Sequence, residues 1–295
     1  MVDIKDYPEF ETAWCPGCGN FPLRKAMRQA LVKLGLEPHQ VIFVSGIGQA
    51  AKAPHYIPCN LFNGLHGRAL PPAQGIKLAL PQATVIVESG DGDMYGEGGN
   101  HLLAAIRRNV DLTAVVHDNQ IYGLTKGQAS PTTMPGHKTK AQPFGAPSEA
   151  FNPVAVAVAM RAGFVARGFV GETDHLAELI VQAVRHPGFA LVDVFQPCVS
   201  FNKINTFQWY KQRCYQLDES HDPTDWRQAM DKAVEFGERI PLGVIYKGDR
   251  PTFEDRLPTA PKEPLARRGV DREALKRILA TYGAPLKRPT KKAGP

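Results

Sequence analysis

Thr84-Val85-Ile86-Val87-Glu88-Ser89-Gly90-Asp91-Gly92-Asp93 and, further along, Thr113-Ala114-Val115-Val116-His117-Asp118-Asn119-Gln120-Ile121-Tyr122-Gly123 decide how this chain reads. Each stretch opens with a short β-branched run, which suits a strand buried on both faces, and closes in polar residues and glycine, which suit a turn. If the two strands are parallel neighbours, Asp91 and Asn119 leave the sheet at the same edge. Two hard oxygen ligands then converge. Magnesium takes about six oxygens, commonly shared among a carboxylate, carbonyls, water and the phosphates of its ligand. One carboxylate suffices, because the remaining positive charge is what lets the ion hold a diphosphate. Gly90 and Gly92 let the backbone approach phosphate oxygens and present N–H donors near the following helix.

Outward from these runs, apolar strands alternate with helical patterns. Leu23, Met27, Ala30, Leu31 and Leu34 share a helix face within 21–34, and Val41 to Val44 reads as a buried strand. Residues 67–80 read as a helix interrupted early by Pro71 and Pro72, and 99–108 as another. Later, 154–161 reads as helical, Asp174 is expected to cap a helix carrying Leu176, Leu179, Ile180, Ala183 and Val184 on one face, and Ala190 to Val194 is a further strand. Such alternation predicts an α/β fold, a mostly parallel sheet with helices on both faces and a ligand beyond the carboxyl ends of its strands. Residues 128–153, rich in Pro, Gly, Ser and Thr, predict a long surface loop of functional type. After 217 the apolar pattern weakens. The expected organisation is a ligand-binding domain over 1–217 and a C-terminal extension over 218–295 that packs on the domain or on a partner.

A chain of 295 residues, 43% hydrophobic and 22% charged, can build one large domain of this kind. Residues 1–10 form no apolar leader and no run is long enough to cross a bilayer, so the cytoplasm is the expected compartment and a membrane is not an expected partner. Much of the net charge of +6 sits late, in Lys262, Arg267, Arg268, Arg272, Lys276, Arg277, Lys287, Arg288, Lys291 and Lys292. A basic surface there suits an acidic protein or a small polyanion. Nucleic acid is not expected, because no recognisable binding module accompanies the charge.

Five cysteines, at 15, 18, 59, 198 and 214, are an odd set for a disulfide framework and point to metal or redox chemistry. Trp14-Cys15-Pro16-Gly17-Cys18-Gly19 offers two thiols across a tight turn, a geometry that serves a four-iron cluster, a zinc site or a dithiol.

G-D-G-D followed by D-N-Q-I-Y-G resembles the diphosphate-binding signature of thiamine-diphosphate enzymes. Further words extend the likeness: Ser45-Gly46-Ile47-Gly48, Gly64-Leu65-His66-Gly67-Arg68-Ala69, Gly99-Asn100-His101, the stretch Arg107 to Thr113, and Ile121 to Gln128. Over roughly residues 10 to 215 the chain is similar to the β subunits of 2-oxoacid:ferredoxin oxidoreductases. The resemblance implies a thiamine-diphosphate-binding fold with magnesium on Asp91, Asn119 and the backbone carbonyl of Ile121. It also implies that Ile47, Gly48, Gln49, His66, Gly92, Asp93, Gly123, Leu124 and Thr125 line the cofactor. His66 would donate to the diphosphate, and Lys126 would meet a carboxylate or a coenzyme A phosphate.

In related subunits four cysteines hold one 4Fe-4S cluster, matched here at Cys15, Cys18 and Cys198; the remaining position, after Gly-Ile-Gly, is Gln49. Cys59, in a proline-bounded loop, is the expected replacement, with Cys214 the runner-up. The implied reaction is coenzyme A-dependent oxidative decarboxylation of a 2-oxoacid, 2-oxoglutarate rather than pyruvate, or its reversal, with electrons passed to ferredoxin. An α subunit would supply the glutamate against the aminopyrimidine and part of the substrate pocket, Glu88 and Glu97 lying on the wrong side for that role, in an αβ dimer of dimers. Two readings of other classes stand beside this one: a non-oxidative thiamine-dependent decarboxylase or synthase with incidental cysteines, and a zinc-stabilised scaffold.

Overall fold

The computed structural model describes residues 2–259 and 262–283. Its strands are β1 (Val41–Ser45), β2 (Asn60–Asn63), β3 (Thr84–Gly90), β4 (Leu112–Asp118), β5 (Phe164–Phe169), β6 (Phe189–Phe195), β7 (Cys214–Gln216) and β8 (Ile240–Lys247). They form one sheet in the order β2-β1-β3-β4-β6-β5-β8-β7. Every pairing is parallel except β5 with β8. The predicted mostly parallel α/β sheet is what the chain folds into.

Helices α1 (Asn20–Leu34), α2 (Leu70–Ala79), α3 (Gly99–Arg108), α4 (Pro153–Ala159), α5 (Thr173–Arg185), α6 (Phe207–Lys211) and α7 (Trp226–Val234) cover the sheet. Successive strand residues point to opposite faces, so the central strands feed two cores. On one face Phe43, Ile86, Val115 and Val192 pack with Leu23, Met27 and Leu31 of α1 and Leu176 and Ile180 of α5. On the other, Val44, Val87, Ala114, Val116 and Leu191 pack with Leu70, Leu102, Ile106, Val154 and Ala233 from α2, α3, α4 and α7. A sheet covered on both faces is rigid, and its loops at one end inherit that rigidity.

Local differences have physical reasons. Pro71 and Pro72 do not interrupt α2; they occupy its first turn, where a missing N–H costs nothing. Asp174 is not a cap: α5 starts at Thr173 after Glu172, and Asp174 lies inside the first turn, accepting from Nε2 of Gln29 at 3.2 Å. Among the side chains that do cap is Asn152, which accepts from the Ala155 N–H at the start of α4. Edge strand β2 is exposed throughout and carries no burial pattern to read. Strand β8 contains Pro241 and Gly243, which break a strand pattern, yet it joins the sheet beside β5.

Residues from 218 therefore contribute a strand to the sheet. A later helix, Arg272–Thr281, is capped by Asp271, and Lys262, Arg267, Arg268, Arg272, Lys276 and Arg277 are exposed. Lys287, Arg288, Lys291 and Lys292 lie outside the described residues. No helix among the described residues is long and apolar enough to cross a membrane.

Candidate cofactor and cluster site

Parallel register brings the carboxyl ends of β1, β3 and β4 side by side. Gly90 pairs with His117, so Asp91 leaves β3 beside the Asp118-Asn119 end of β4. One cavity at this edge is lined by Ile47, Gly48, Gln49, His66, Asp91, Gly92, Asp93, Asn119, Ile121, Tyr122, Gly123, Leu124 and Thr125. Thus the two oxygen ligands read from the sequence face one space together with the expected cofactor-lining residues. Lys126 is different. It is exposed, with φ +73°, at the tip of a tight loop closed by Gly127 N–H to the Tyr122 carbonyl at 2.8 Å, and it is not on the cavity wall.

Asp91 is buried, and its Oδ2 accepts from Ser130 Oγ at 2.5 Å and Thr132 Oγ1 at 2.6 Å. Both hydroxyls come from the stretch expected to be a surface loop; its start is instead buried beneath the acidic end of β3, which only tertiary packing could reveal. Burial raises the Asp91 carboxyl from its ordinary 3.8 to about 6 against the pull of those donors, and among the described residues it forms no ion pair. A buried carboxylate whose charge meets no cation is suited to a divalent ion. Asn119 Oδ1 accepts the Ile121 N–H at 3.0 Å, a turn made possible by left-handed Gln120 at φ +58°, and this sets Asn119 and Ile121 on the same wall. Deeper in, burial pushes Asp118 well above the carboxylate range, with Asp193 and Asp91 adding to the rise.

Asp93 has a different part. Its Oδ1 accepts from Ile47 N at 2.9 Å, Gly67 N at 2.8 Å and His66 Nδ1 at 2.6 Å, and its Oδ2 from the Ser89 hydroxyl. One carboxylate thereby ties together the loops after β1 and β2 and the end of β3. Gly46 is required there: a Cβ would stand 2.0 Å from Asp93 Oδ2. Gly92 is required too, since its Cβ would meet the Tyr122 ring at 2.2 Å. The His66 Nε2 faces Glu97 Oε2 at 3.1 Å, and the Tyr122 hydroxyl donates to the same oxygen at 3.1 Å. Between β3 and α3, Gly92–Glu97 winds as a π-helical turn, a conformation that recurs at functional sites.

The cysteines divide into two groups. Cys15, Cys18 and Cys198 line a second cavity, together with Gln49, Asn119 and Gly123, all three of which also line the first. The two spaces therefore share a wall. Burial, reinforced by Cys198 and Cys15, raises the Cys18 thiol to about 11. Cys59, the expected fourth ligand, is not on this cavity. It packs against the hydrophobic core, where burial and Glu88 raise its thiol to about 12, and the position after Gly-Ile-Gly, Gln49, takes the place on the wall. Cys214 is also elsewhere, on β7, with its thiol raised to about 12 by burial. Among the described residues no three His, Cys, Asp or Glu side chains gather around a point for one ion. Three thiols and an amide on one cavity wall could hold a cluster of several atoms.

Two further features escaped the sequence. A third cavity of about 450 Å³ adjoins the first through Ile47, Gly48 and Leu124 and adds Lys52, His55, Tyr56 and Asn63. A cation three residues after Gln49 on the following helical turn was the available signal. Beneath the sites, His117 bridges Glu88 Oε1 (Nε2, 2.9 Å) and Asn20 Oδ1 (Nδ1, 2.8 Å), all three buried. Glu88 is thus occupied inside the sheet, away from the cofactor wall.

A parallel sheet with acidic and amide oxygens at its carboxyl edge defines a class, and residues 40–194 match the family model described as thiamine pyrophosphate enzyme, C-terminal TPP binding domain. Residues 198–262 match a second family model, that of the C terminal of the pyruvate ferredoxin oxidoreductase beta subunit. The chain is 46% identical over 261 residues to a 2-oxoacid:ferredoxin oxidoreductase subunit beta of Sulfolobus sp, covering 83% of this chain and 85% of that one. It is 42% identical over 206 residues to a 2-oxoglutarate synthase subunit KorB of Archaeoglobus fulgidus, covering 69% and 77%. A solved 2-oxoglutarate:ferredoxin oxidoreductase from Magnetococcus marinus, with 2-oxoglutarate, coenzyme A and succinyl-CoA bound, superposes with a TM-score of 0.88 at 37% identity over 96% of this chain and 97% of that one. The chain belongs to the β subunits of 2-oxoacid:ferredoxin oxidoreductases, and is an oxidoreductase subunit.

Proposed function

We propose that this subunit holds thiamine diphosphate through magnesium on Asp91, Asn119 and the Ile121 carbonyl, beside a 4Fe-4S cluster, in a coenzyme A-dependent 2-oxoglutarate:ferredoxin oxidoreductase acting in either direction. The observation that carries the reading is the shared wall: Gln49, Asn119 and Gly123 face both the cofactor cavity and the cysteine cavity. Bound there, thiamine diphosphate would supply the electron sink for decarboxylation and the cluster a one-electron outlet to ferredoxin.

The chain's own residues have separable tasks. Asp91 contributes the one carboxylate charge, kept in place by Ser130 and Thr132. Asp93 orients the Ile47 and Gly67 backbone and the His66 ring. Lys126, exposed at the rim, would meet an anionic group of coenzyme A or the oxoacid that extends beyond the cavity. The adjoining cavity favours a dicarboxylic oxoacid, since Lys52 and His55 offer cationic or hydrogen-bonding ends for the distal carboxylate. The relatives named for 2-oxoglutarate agree with that choice.

The resemblance implies that an α subunit supplies the glutamate that activates the aminopyrimidine, and in this chain Glu88 is paired with His117 and Glu97 with His66 and Tyr122. Cytoplasmic location and an αβ dimer of dimers complete the proposal. The test is to assay oxoacid- and coenzyme A-dependent reduction of a viologen dye by the chain alone and with its α partner, using 2-oxoglutarate and pyruvate. Turnover is expected only with the partner and faster with 2-oxoglutarate. Full turnover by the chain alone, or a preference for pyruvate, contradicts the corresponding half of the proposal.

A further inference from the structure

Resting on the cluster assignment just made, we infer that the cluster is held by three thiolates, Cys15, Cys18 and Cys198, with its fourth iron facing the Gln49 side chain, so that one iron is exchangeable. The three cysteines and Gln49 line one cavity. Gln49 Oε1 is buried without a hydrogen-bond partner among the described residues, while the backbone carbonyl of the same residue accepts from Trp14 Nε1 at 3.0 Å. A buried, unpaired amide oxygen is destabilising, and a metal ion within its reach would relieve that. Neither remaining cysteine substitutes. Cys59 is packed against the core beside Tyr7 and Glu88, and Cys214 lies on β7 near Arg167.

Two consequences follow from the chemistry of the donor. An amide oxygen is neutral and hard, so it binds iron more weakly than a thiolate does, and the iron it faces is the first to leave. Exchanging a thiolate for a neutral donor also removes one negative charge from the cluster's surroundings, which raises its reduction potential. Oxidation by ferricyanide would then convert a four-iron cluster in its 2+ state to a three-iron cluster in the 1+ state and a released ferrous ion. One electron passes to ferricyanide to form ferrocyanide. No thiolate is broken from the protein, and the charges balance.

The complex of this chain with its α partner, isolated anaerobically, is assayed for iron and acid-labile sulfide and titrated with ferricyanide under EPR. The wild type is expected to develop a three-iron signal with loss of about one ferrous ion per cluster, reversed by ferrous iron and a reductant. Gln49→Cys is expected to suppress that conversion at least about tenfold and to lower the cluster's potential, while Cys59→Ser and Cys214→Ser behave as wild type. A four-iron cluster that withstands ferricyanide in the wild type, converts equally in Gln49→Cys, or is lost in Cys59→Ser overturns the inference and leaves the cluster assignment standing. Absence of any cluster signal sensitive to Cys15→Ser overturns the assignment itself, and the inference with it.

Discussion

The Nδ1 of His66 lies 2.6 Å from Oδ1 of Asp93, an oxygen that also receives the backbone N–H groups of Ile47 and Gly67. One buried carboxylate therefore sets the position of three segments on the wall of the candidate cofactor cavity. Asp93→Asn keeps the shape but turns one acceptor into a donor, opposing either the Ser89 hydroxyl or the cluster of N–H groups. Stability is expected to fall by about 2–4 kcal/mol, with a parallel loss of thiamine diphosphate affinity. Denaturant unfolding and calorimetric titration of the cofactor check both; unchanged affinity would show that the loops hold themselves.

Gly46→Ala tests the same knot from the other side. The added methyl would stand 2.0 Å from Asp93 Oδ2, and a carboxylate with its donors in place has nowhere to retreat. Destabilisation of about 1–3 kcal/mol is expected, measured by the shift of the denaturant midpoint. Gly35→Ala, whose Cβ would meet nothing within 4 Å although φ is +67°, is the control for backbone strain alone.

Burial raises both Asp91 and Asp193 from 3.8 to about 6. A carboxyl that binds its proton more tightly when folded adds stability below its unfolded value, and that stability is lost as pH rises through the folded value. Without magnesium and cofactor, thermal stability is therefore expected to decline between about pH 4 and pH 6 on account of these groups. Magnesium with thiamine diphosphate, which on the proposed ligation would bind the ionised form of Asp91, is expected to flatten or reverse that slope. Melting temperatures across this range, with and without both ligands, decide it, and identical slopes would place the ion elsewhere.

His117 pairs with Oε1 of Glu88 inside the sheet at 2.9 Å, with both side chains wholly buried and Oε2 left without a partner among the described residues. His117→Leu strands that carboxylate, and a loss of about 3–5 kcal/mol is expected. Adding Glu88→Leu should recover much of it, because an apolar pair of similar volume removes the unpaired group. Urea denaturation of the two variants measures the coupling; simple additivity would mean the pair is not coupled.

Lys52→Met removes the lysine from the cavity adjoining the cofactor wall. A lost charge-assisted hydrogen bond to a distal carboxylate is expected to raise KM for 2-oxoglutarate by on the order of tenfold or more and to leave pyruvate kinetics nearly unchanged. Equal effects on both substrates would assign Lys52 to something other than substrate choice.

Much of this molecule was legible in one dimension because its signals are local. Alternating apolar runs and helical faces carried the doubly covered sheet, since strand and helix periods are properties of consecutive residues. Asp91 and Asn119 could be placed together because parallel strands end at one edge whatever their exact register. What tertiary structure alone decided involves chain segments far apart in sequence. Ser130 and Thr132 reach Asp91 from a loop that composition marked as surface, and β8 joins the sheet despite its proline and glycine. The cysteines show the boundary most clearly: their number spoke for metal or redox chemistry, but a thiol's depth and direction come from packing. That packing put Gln49 on the wall beside Cys15, Cys18 and Cys198 and left Cys59 against the core.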